Sequence, residues 1–351
     1  MWESNVRKVV PYTPGEQPKM MNLIKLNTNE NPYPPAPAVE KKLKTLAYDD
    51  FKKYPAPNCD QLVNALASKY GLKPSQVFVG VGSDDVLAMS FLTFFNGSEP
   101  ILFPDVTYSF YDVWADLFHI PYEIKPLMED FSIRKEDYLV KNGGIVIANP
   151  NAPTGLALGK DVIEEIVAAN PGSVVIVDEA YVDFGGETVL PLIEKYDNLL
   201  VVQTFSKSRS MAGMRIGYAM GCEKLIKYLS DVKFAINSYT MNRPSLELGC
   251  LAVEDDEYFQ TTCKMVIATR ERIKEELKKL NFSFPDSKTN FIFAKYEGDM
   301  ARDDIAAALR ARNIIVRSFN SERTKDYMRI SIGTDAEMDT LINVLKEILN
   351  V

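Results

Sequence analysis

Short apolar runs recur along the first two thirds of the chain, and stretches with the spacing of helices separate several of them. We interpret as buried strands the runs at 77–79, 101–103, 145–148, 174–177, 199–202 and 216–219. Apolar positions at helical spacing lie between some of these runs, for example at 84–95 and 160–169. Continuous β-branched runs that alternate with helices are typical of a mainly parallel sheet covered on both faces. The pattern therefore predicts a large doubly wound α/β domain.

The pattern is different toward the two ends of the chain. The first 35 residues are rich in proline and predict an irregular arm rather than part of a core. Near residue 245 a long helical stretch begins, rich in Glu, Lys and Arg, and it runs to about residue 280. A strand at 290–294, a helix at 301–312, strands at 314–317 and 328–331 and a last helix at 336–349 follow it. These elements predict a second, smaller α/β domain.

The composition excludes several classes of protein. Of 351 residues, 46% are apolar and 25% are charged, as in soluble globular proteins, and the length allows two or three domains. A net charge of -8 argues against a nucleic-acid binder, and no apolar run is long enough to span a bilayer. No secretory segment is visible in the first ten residues, and Cys59, Cys222, Cys250 and Cys263 lack the spacing of metal ligands. A cytoplasmic protein with reduced thiols and no metal site is expected.

The histidine content limits the chemistry further. His119 is the only histidine, and we interpret it as the end of a helix or the start of a strand. A Ser-His-Asp hydrolase or a histidine-rich metal site would depend on that residue alone. The chemistry must therefore come from Lys, Tyr, Asp, Asn or Arg side chains, or from a cofactor.

Polar residues directly follow four of the predicted strands. The segments are Gly-Val-Gly-Ser-Asp-Asp at 80–85, Asn-Pro-Asn-Ala-Pro-Thr-Gly at 149–155, Asp-Glu-Ala-Tyr at 178–181 and Gln-Thr-Phe-Ser-Lys at 203–207. Each segment alone has an ordinary explanation, such as a strand-to-helix turn, a helix cap, a metal site or a solvated lysine. In open α/β sheets, however, ligands bind at the carboxyl ends of the strands. The ordered set therefore favours one shared binding site.

A phosphorylated pyridine aldehyde would give each of these segments a role. The glycine-rich turn ending at Ser83 enters a predicted helix, whose amide groups suit a phosphate. Asp178 ends an apolar strand and needs a cationic partner, which a protonated pyridine nitrogen would supply. Lys207 could condense with the aldehyde, and Arg215 could pair with the phosphate. A nucleotide-binding protein is disfavoured because neither a phosphate loop with lysine nor a three-glycine fingerprint is present.

The chain resembles the class I and II aminotransferases of fold type I over nearly its whole length. The segments at 149–155, 178–181 and 204–207, followed by Gly-Met-Arg-Ile-Gly-Tyr at 213–218, carry the resemblance. The resemblance implies a PLP transferase fold, with an arm at 1–30, a large cofactor domain at 31–250 and a small C-terminal α/β domain at 251–351. It also implies pyridoxal 5'-phosphate (PLP) as the cofactor, small-molecule substrates and a homodimer.

The resemblance assigns roles to individual residues. Lys207 carries the cofactor as a Schiff base and moves the proton, Asp178 pairs with the pyridine nitrogen, and Tyr181 bonds the phenolic oxygen. Further cofactor contacts are expected from Ser83, Asp84, Tyr108, Asn151, Thr204, Ser206 and Arg215, and from Tyr54 of the neighbouring subunit. Substrate contacts are expected from Tyr12, Asn31 and Arg329, with Tyr12 also crossing the subunit interface.

Two positions depart from the family pattern. Many relatives have an asparagine immediately before Pro-Thr-Gly, where this chain has Ala152, so Asn151 is expected to turn in and replace that amide. Residues 237–244 are also unusual, and Arg243 within them is either a substrate ligand or a surface arginine.

Segments near the start of the chain narrow the resemblance to one branch of the family. Asn-Val-Arg at 5–7, Val-Pro-Tyr at 10–12 and Leu-Asn-Thr-Asn-Glu-Asn-Pro at 26–32 are similar to histidinol-phosphate aminotransferases. That branch implies amino transfer between L-histidinol phosphate and 2-oxoglutarate in histidine biosynthesis. Aromatic amino acid transamination and decarboxylation of phosphothreonine on the same fold stay open. A ligand-sensing module is disfavoured because the arm is too short to hold a DNA-binding domain.

Overall fold

A computed structural model describes residues 2–351 and contains two sheets. Within these residues the strands are β1 (Ile24–Leu26), β2 (Val77–Gly80), β3 (Ile101–Pro104), β4 (Tyr122–Lys125), β5 (Gly144–Ala148), β6 (Val175–Asp178), β7 (Leu199–Thr204), β8 (Gly217–Gly221), β9 (Phe282–Ser283), β10 (Phe291–Tyr296), β11 (Ile314–Ser318) and β12 (Tyr327–Ser331). The α-helices are α1 (Pro37–Leu43), α2 (Asp60–Tyr70), α3 (Ser83–Phe94), α4 (Tyr111–Phe118), α5 (Lys160–Ala169), α6 (Glu223–Ile236), α7 (Arg243–Glu254), α8 (Asp256–Lys279), α9 (Arg302–Arg310) and α10 (Asp335–Leu349). Short 3-10 helices lie at Trp2–Asn5, Tyr48–Lys52, Pro74–Gln76, Lys135–Tyr138, Val182–Phe184, Leu190–Glu194 and Ala212–Met214.

The larger sheet confirms the predicted fold class. Its strand order is β2-β8-β7-β6-β5-β3-β4, and β8 is the strand that runs antiparallel to both of its neighbours. Alternate residues of the central strands enter different cores: Ile145 and Ile147 join one cluster, whereas Val146 joins the other. Because both faces are covered by apolar side chains, these strands are apolar without interruption rather than alternating.

The second sheet has the order β1-β11-β12-β10-β9, and α8, α9 and α10 pack against it. The single predicted helix at 245–280 is two helices. They separate at Asp255, whose side chain accepts a hydrogen bond from the Tyr258 N–H and so caps the start of α8. The domain boundaries at residues 30 and 250 remain a prediction.

The proline-rich arm contains more structure than its sequence indicated. Residues 24–26 form β1, which pairs in parallel with β11, with Ile24 opposite Ile314 and Leu26 opposite Val316. Leu26 is buried in the core of the second sheet. The prediction of an irregular arm up to residue 35 is therefore wrong for this segment. Strand β4 was also missed, because it is an edge strand with exposed charged positions rather than an apolar run.

The predicted sites at the strand ends do meet at one edge of the larger sheet. Strands β5, β6 and β7 run parallel, with Ala148 opposite Asp178 and Asp178 opposite Val202. The segments that follow these strands therefore leave the sheet side by side. His119 ends α4 in a left-handed conformation, which confirms its interpretation as a helix end. Among residues 2–351, no helix is long and apolar enough to cross a membrane.

Candidate active site

A cavity with about 650 Å³ of space lies at the carboxyl edge of the larger sheet. Its wall contains eight of the residues predicted from the sequence: Ser83, Asp84, Tyr108, Asp178, Tyr181, Ser206, Lys207 and Arg215. The structure thus brings together residues that are up to 132 positions apart, since Ser83 and Arg215 face the same space. The wall combines polar and apolar side chains, as the walls of small-molecule and cofactor sites do.

Asp178 is a buried carboxylate at the end of β6. The Tyr111 hydroxyl donates to one of its oxygens at 3.0 Å, and the Ala180 N–H donates to the other at 3.1 Å. Burial raises the pKa of Asp178 to about 6, although both hydrogen bonds act in the opposite direction. A carboxylate in this position gains from a cationic group in the cavity, because the cation compensates for lost hydration. The environment therefore fits a protonated ring nitrogen.

Lys207 lies three residues after the end of β7 and extends into the same cavity. Its Nζ is 3.4 Å from the carbonyl oxygen of Thr28 and 5.6 Å from the centre of the Tyr181 ring. No carboxylate of residues 2–351 forms an ion pair with it. Within these residues its amine is therefore not held by an ion pair and can reach a ligand in the cavity, as a nucleophilic lysine must.

The start of α3 forms part of the cavity wall and offers a place for a small anion. Ser83 is the first residue of α3, and the preceding Gly82 has φ +85, a conformation that favours glycine. A side chain on Gly82 would clash with the guanidinium group of Arg215, and one on Gly217 would clash with the backbone at Gly82 and Ser83. This close approach places backbone amide groups, the Ser206 hydroxyl and Arg215 around one end of the cavity.

The Asp84 side chain contacts two other residues of the cavity wall. Its carboxylate accepts a hydrogen bond from the Tyr108 hydroxyl at 2.7 Å and lies 3.4 Å from Arg215. A carboxylate cannot donate a hydrogen bond to a phosphate, so its side chain orients Tyr108 and Arg215 instead. Desolvation, followed by the charge of Asp84, raises the pKa of Tyr108, which keeps that phenol neutral.

Two of the cofactor contacts expected from the same chain do not lie on the cavity wall. The Thr204 hydroxyl is 3.0 Å from Ser206 Oγ and accepts the Ser206 N–H, so it supports the loop from behind. The Asn151 amide donates to the Val106 carbonyl and accepts from the Thr107 hydroxyl. These hydrogen bonds are made within the loop, so Asn151 does not replace the amide missing at position 152, contrary to expectation. Ala152 itself lines the cavity.

A second space adjoins the first and shares Tyr108, Tyr181, Lys207 and Arg215 with it. Arg329 lies on its wall, half-buried, with its guanidinium carbon 5.2 and 5.7 Å from the ring centres of Phe291 and Phe319. Burial lowers the pKa of Arg329, and the nearby positive charge of Arg317 lowers it further. Its Nε has no hydrogen-bond partner among the described residues. An arginine in this state is suited to receive an anion.

Arg317 was missed in the sequence. It lies directly opposite Arg329 on the neighbouring strand and lines the same space. It contacts the carbonyl groups of Thr13 and Pro14 at 3.3 and 3.4 Å, and neither arginine is paired with a carboxylate of residues 2–351. The pairing of β11 with β12 was the signal that could have identified it, because residues opposite each other on adjacent strands share a face.

Three further predicted residues, Tyr12, Asn31 and Tyr54, lie outside the first cavity. Tyr12 stacks on Phe110 of its own chain at 4.1 Å and lines the second space, so it reaches the site without crossing to a neighbour. Asn31 donates to the carbonyl oxygens of Lys207 and Ser208, so it holds the lysine segment rather than facing the cavity. Tyr54 is 77% exposed, stacks on Tyr239 and is not on the cavity wall of its own chain.

Arg243 begins α7 and lies 3.6 Å from Glu247, one turn further along the same helix. It lines neither of the two spaces. Of the two interpretations left open for this residue, its position favours the surface arginine over the substrate ligand.

One cavity at the carboxyl edge of a doubly wound sheet thus contains a lysine without an ion pair in residues 2–351, a buried carboxylate and backbone amide groups suited to an anion. Known proteins with similar sequences and structures agree with this arrangement. The chain belongs to the class I and II aminotransferase family, whose model matches residues 21–345. This membership confirms the predicted class of enzyme and, with it, the PLP cofactor of the family.

Curated relatives are similar over the full length. A histidinol-phosphate aminotransferase of Lactococcus lactis subsp. cremoris is 49% identical over 348 residues, covering 99% of this chain and 98% of the relative. One of Clostridium botulinum is 50% identical over 349 residues, with the same shares covered.

Solved structures support the same fold at lower identity. A histidinol-phosphate aminotransferase from Sinorhizobium meliloti, in complex with pyridoxal-5'-phosphate, has a TM-score of 0.84 and 24% identity and covers 93% of this chain and 91% of its own. An enzyme of the same name from Clostridium acetobutylicum has a TM-score of 0.86 and 21% identity, covering 93% of this chain and 99% of its own.

Proposed function

We propose that this enzyme transfers the amino group of L-histidinol phosphate to 2-oxoglutarate in histidine biosynthesis. The observation that carries the proposal is the pair Arg317 and Arg329, which face one space beside Lys207 without a carboxylate partner. Both substrates are anions, one a phosphate ester and the other a dicarboxylate, and arginine binds both groups in bidentate geometry. The names of the full-length relatives at 49% and 50% identity support the same substrate.

The residues of the first cavity suit PLP. The amide groups at the start of α3, Ser206 and Arg215 would hold its phosphate, and Asp178 would hold a proton at its ring nitrogen. When bound, PLP supplies an aldehyde that condenses with amines and a ring that stabilises negative charge at the carbon next to the amino group.

The reaction also needs a group that moves a proton, and Lys207 is suited to this role. The Lys207 amine extends into the cavity. When it is not bonded to the cofactor, it would be free to take the proton from the substrate carbon that carries the amino group and to return that proton on the cofactor side. Arg329 would bind the carboxylate of glutamate, and Tyr12 and Arg317 would contact the phosphate of L-histidinol phosphate. Because one space serves both substrates in turn, the kinetics are expected to be ping-pong.

The protein is proposed to act as a cytoplasmic homodimer. Tyr54 is far more exposed than a cofactor ligand should be, and its ring stacks on Tyr239 at the surface. Donation of Tyr54 to the phosphate site of a neighbouring subunit would explain both its exposure and its absence from its own cavity. Small-molecule substrates remain the only other partners that the site requires.

A half-reaction measured by absorbance tests the proposal. The enzyme with bound PLP is mixed with L-histidinol phosphate, glutamate, phenylalanine or phosphothreonine, and the visible band of the cofactor is followed. Fast loss of the band with both histidinol phosphate and glutamate is expected. Loss with phenylalanine alone would indicate an aromatic aminotransferase, and release of carbon dioxide from phosphothreonine would indicate a decarboxylase. Either result would overturn the proposed substrate.

The role of Lys207 is tested separately by substitution. Lys207→Ala should lower kcat by at least about 100-fold, because it removes the proton-transferring group. Lys195→Ala is the matched control, since Lys195 is a surface lysine paired with Glu164. Normal turnover by Lys207→Ala would refute the role of Lys207.

A further inference from the structure

The Tyr181 hydroxyl has an amide neighbour that the sequence did not reveal. The Asn29 Nδ2 lies 2.9 Å from the Tyr181 hydroxyl oxygen, although the two residues are 152 positions apart. Asn29 is 1% exposed, and it comes from the segment that follows β1, on the small-domain side of the cavity. Ala152, where the family pattern has an amide, lines the same cavity and offers no hydrogen bond.

The surrounding network fixes which end of the Asn29 amide faces Tyr181. The Asn29 backbone N–H donates to Ser331 Oγ at 2.9 Å, so the Ser331 proton must go elsewhere. That proton is donated to Asn29 Oδ1 at 3.0 Å. Because Oδ1 is already an acceptor in this pair, the Nδ2 group is the one left to face Tyr181. The amide therefore donates, and the phenol oxygen of Tyr181 accepts.

The direction of this bond determines where the Tyr181 proton can go. A phenol oxygen that accepts one hydrogen bond still has its own proton to donate, and acceptance strengthens that donation by about 10–30%. Among residues 2–351, the Tyr181 hydroxyl donates to no acceptor. Its proton is thus directed at the cavity, where the Lys207 Nζ lies 5.6 Å from the Tyr181 ring.

We propose that Asn29 is a positioning residue that directs the Tyr181 proton toward the phenolic oxygen of the cofactor and compensates for Ala152. Asn29 touches neither substrate nor the reacting atoms and acts through Tyr181. The backbone supports this role: Asn29 has φ +56, a left-handed conformation that asparagine tolerates, and the Asn290 amide donates to its carbonyl at 2.9 Å. The inference rests on the proposed binding of PLP in this cavity.

The test measures the pH at which the visible absorbance of bound PLP changes, in the absence of substrate. A hydrogen bond donated to the phenolic oxygen stabilises its anionic form, so a weaker bond raises the pKa of the cofactor. Asn29→Ala should raise the midpoint by about 0.5 pH units, equivalent to about 0.7 kcal/mol. Asn29→Asp tolerates the same backbone conformation but accepts the Tyr181 proton itself, so its midpoint should rise further.

Two further variants separate positioning from general loosening. Glu30→Ala changes the next residue of the same segment, whose side chain is exposed and pairs with Lys25, so its midpoint should equal that of the wild type. In a Tyr181→Phe background, Asn29→Ala should cause no additional shift, because the group through which it acts is gone. A wild-type midpoint in both Asn29 variants, or an equal shift in the Tyr181→Phe background, would overturn the inference. Failure of the wild type to bind PLP at all would instead refute the proposed function.

Discussion

At the scale of single residues, Asp178 shows how the site depends on its ligand. In the protein without cofactor, burial raises the pKa of Asp178 to about 6, whereas the same group in an unfolded chain titrates near 3.9. The folded state therefore binds the proton more tightly than the unfolded state. This contribution to stability is fully present below about pH 4 and is lost as the pH rises through about 6. At neutral pH the buried, charged carboxylate lowers the stability of the cofactor-free protein, and a cation in the cavity would offset this loss.

This argument predicts a pH-dependent effect of Asp178→Asn on the cofactor-free protein. Relative to wild type, the free energy of unfolding of the variant should increase from pH 4 to pH 7, by up to about 3 kcal/mol. Urea unfolding at several pH values measures the difference. Asp130→Asn is the control, because the Ser132 hydroxyl lowers the pKa of the exposed Asp130. Relative to wild type, its free energy of unfolding should therefore decrease as the pH rises. A pH-independent difference for Asp178→Asn would contradict the burial argument.

At the scale of elements, the sequence predicted those site residues that directly follow a buried strand. Asp178 and Lys207 could be placed because each follows a short apolar run, and parallel strands end at one edge of the sheet. Asn29 and Arg317 could not be placed in this way. Their positions depend on β1 pairing with β11 and β11 with β12, and the first of these contacts spans about 290 residues of sequence. A three-residue strand after a proline-rich segment gives no periodic signal strong enough to predict such a contact.

Strand β1 is expected to stabilise the protein as well as to position Asn29. Leu26 is 2% exposed and packs in the core of the second sheet, so Leu26→Ala should lower the free energy of unfolding by about 2–5 kcal/mol. Val10→Ala lies in the same arm at an exposed position and should change stability by less than about 0.5 kcal/mol. Denaturant unfolding of both variants is the measurement. Equal stability of the two would show that β1 is not part of the folded core.

At the scale of the whole molecule, Tyr12 and Tyr54 lie in different surroundings, although both were predicted to cross the subunit interface. Tyr12 lines the second space of its own chain and packs against Phe110, while residues 13 and 14 contact Arg317 of the second sheet. The arm thus connects the two sheets within one chain. Tyr54 has no such contact with its own site and is exposed beside Tyr239. If the proposed homodimer forms, Tyr54 is the residue by which one subunit completes the other.

Mixing two inactive variants tests this arrangement. Lys207→Ala lacks the reacting amine but keeps Tyr54, and Tyr54→Ala keeps Lys207 but should bind PLP about 10- to 100-fold more weakly, because a hydrogen bond to a charged group is lost. Each is assayed alone at a PLP concentration that saturates only the wild type. When equal amounts are unfolded and refolded together, half of the dimers should be mixed, and each should contain one intact site. About a quarter of all sites should then be active.

The outcome depends on which chain supplies Tyr54 to a given site. If the tyrosine comes from the partner subunit, the intact site in a mixed dimer combines Lys207 of one chain with Tyr54 of the other. If Tyr54 served its own chain, no mixed dimer would contain both groups in one site, and activity would not recover. Refolding Lys207→Ala with the wild type controls for losses during mixing. Absence of recovery, with mixed dimers demonstrated by a tag on one variant, would refute the shared site.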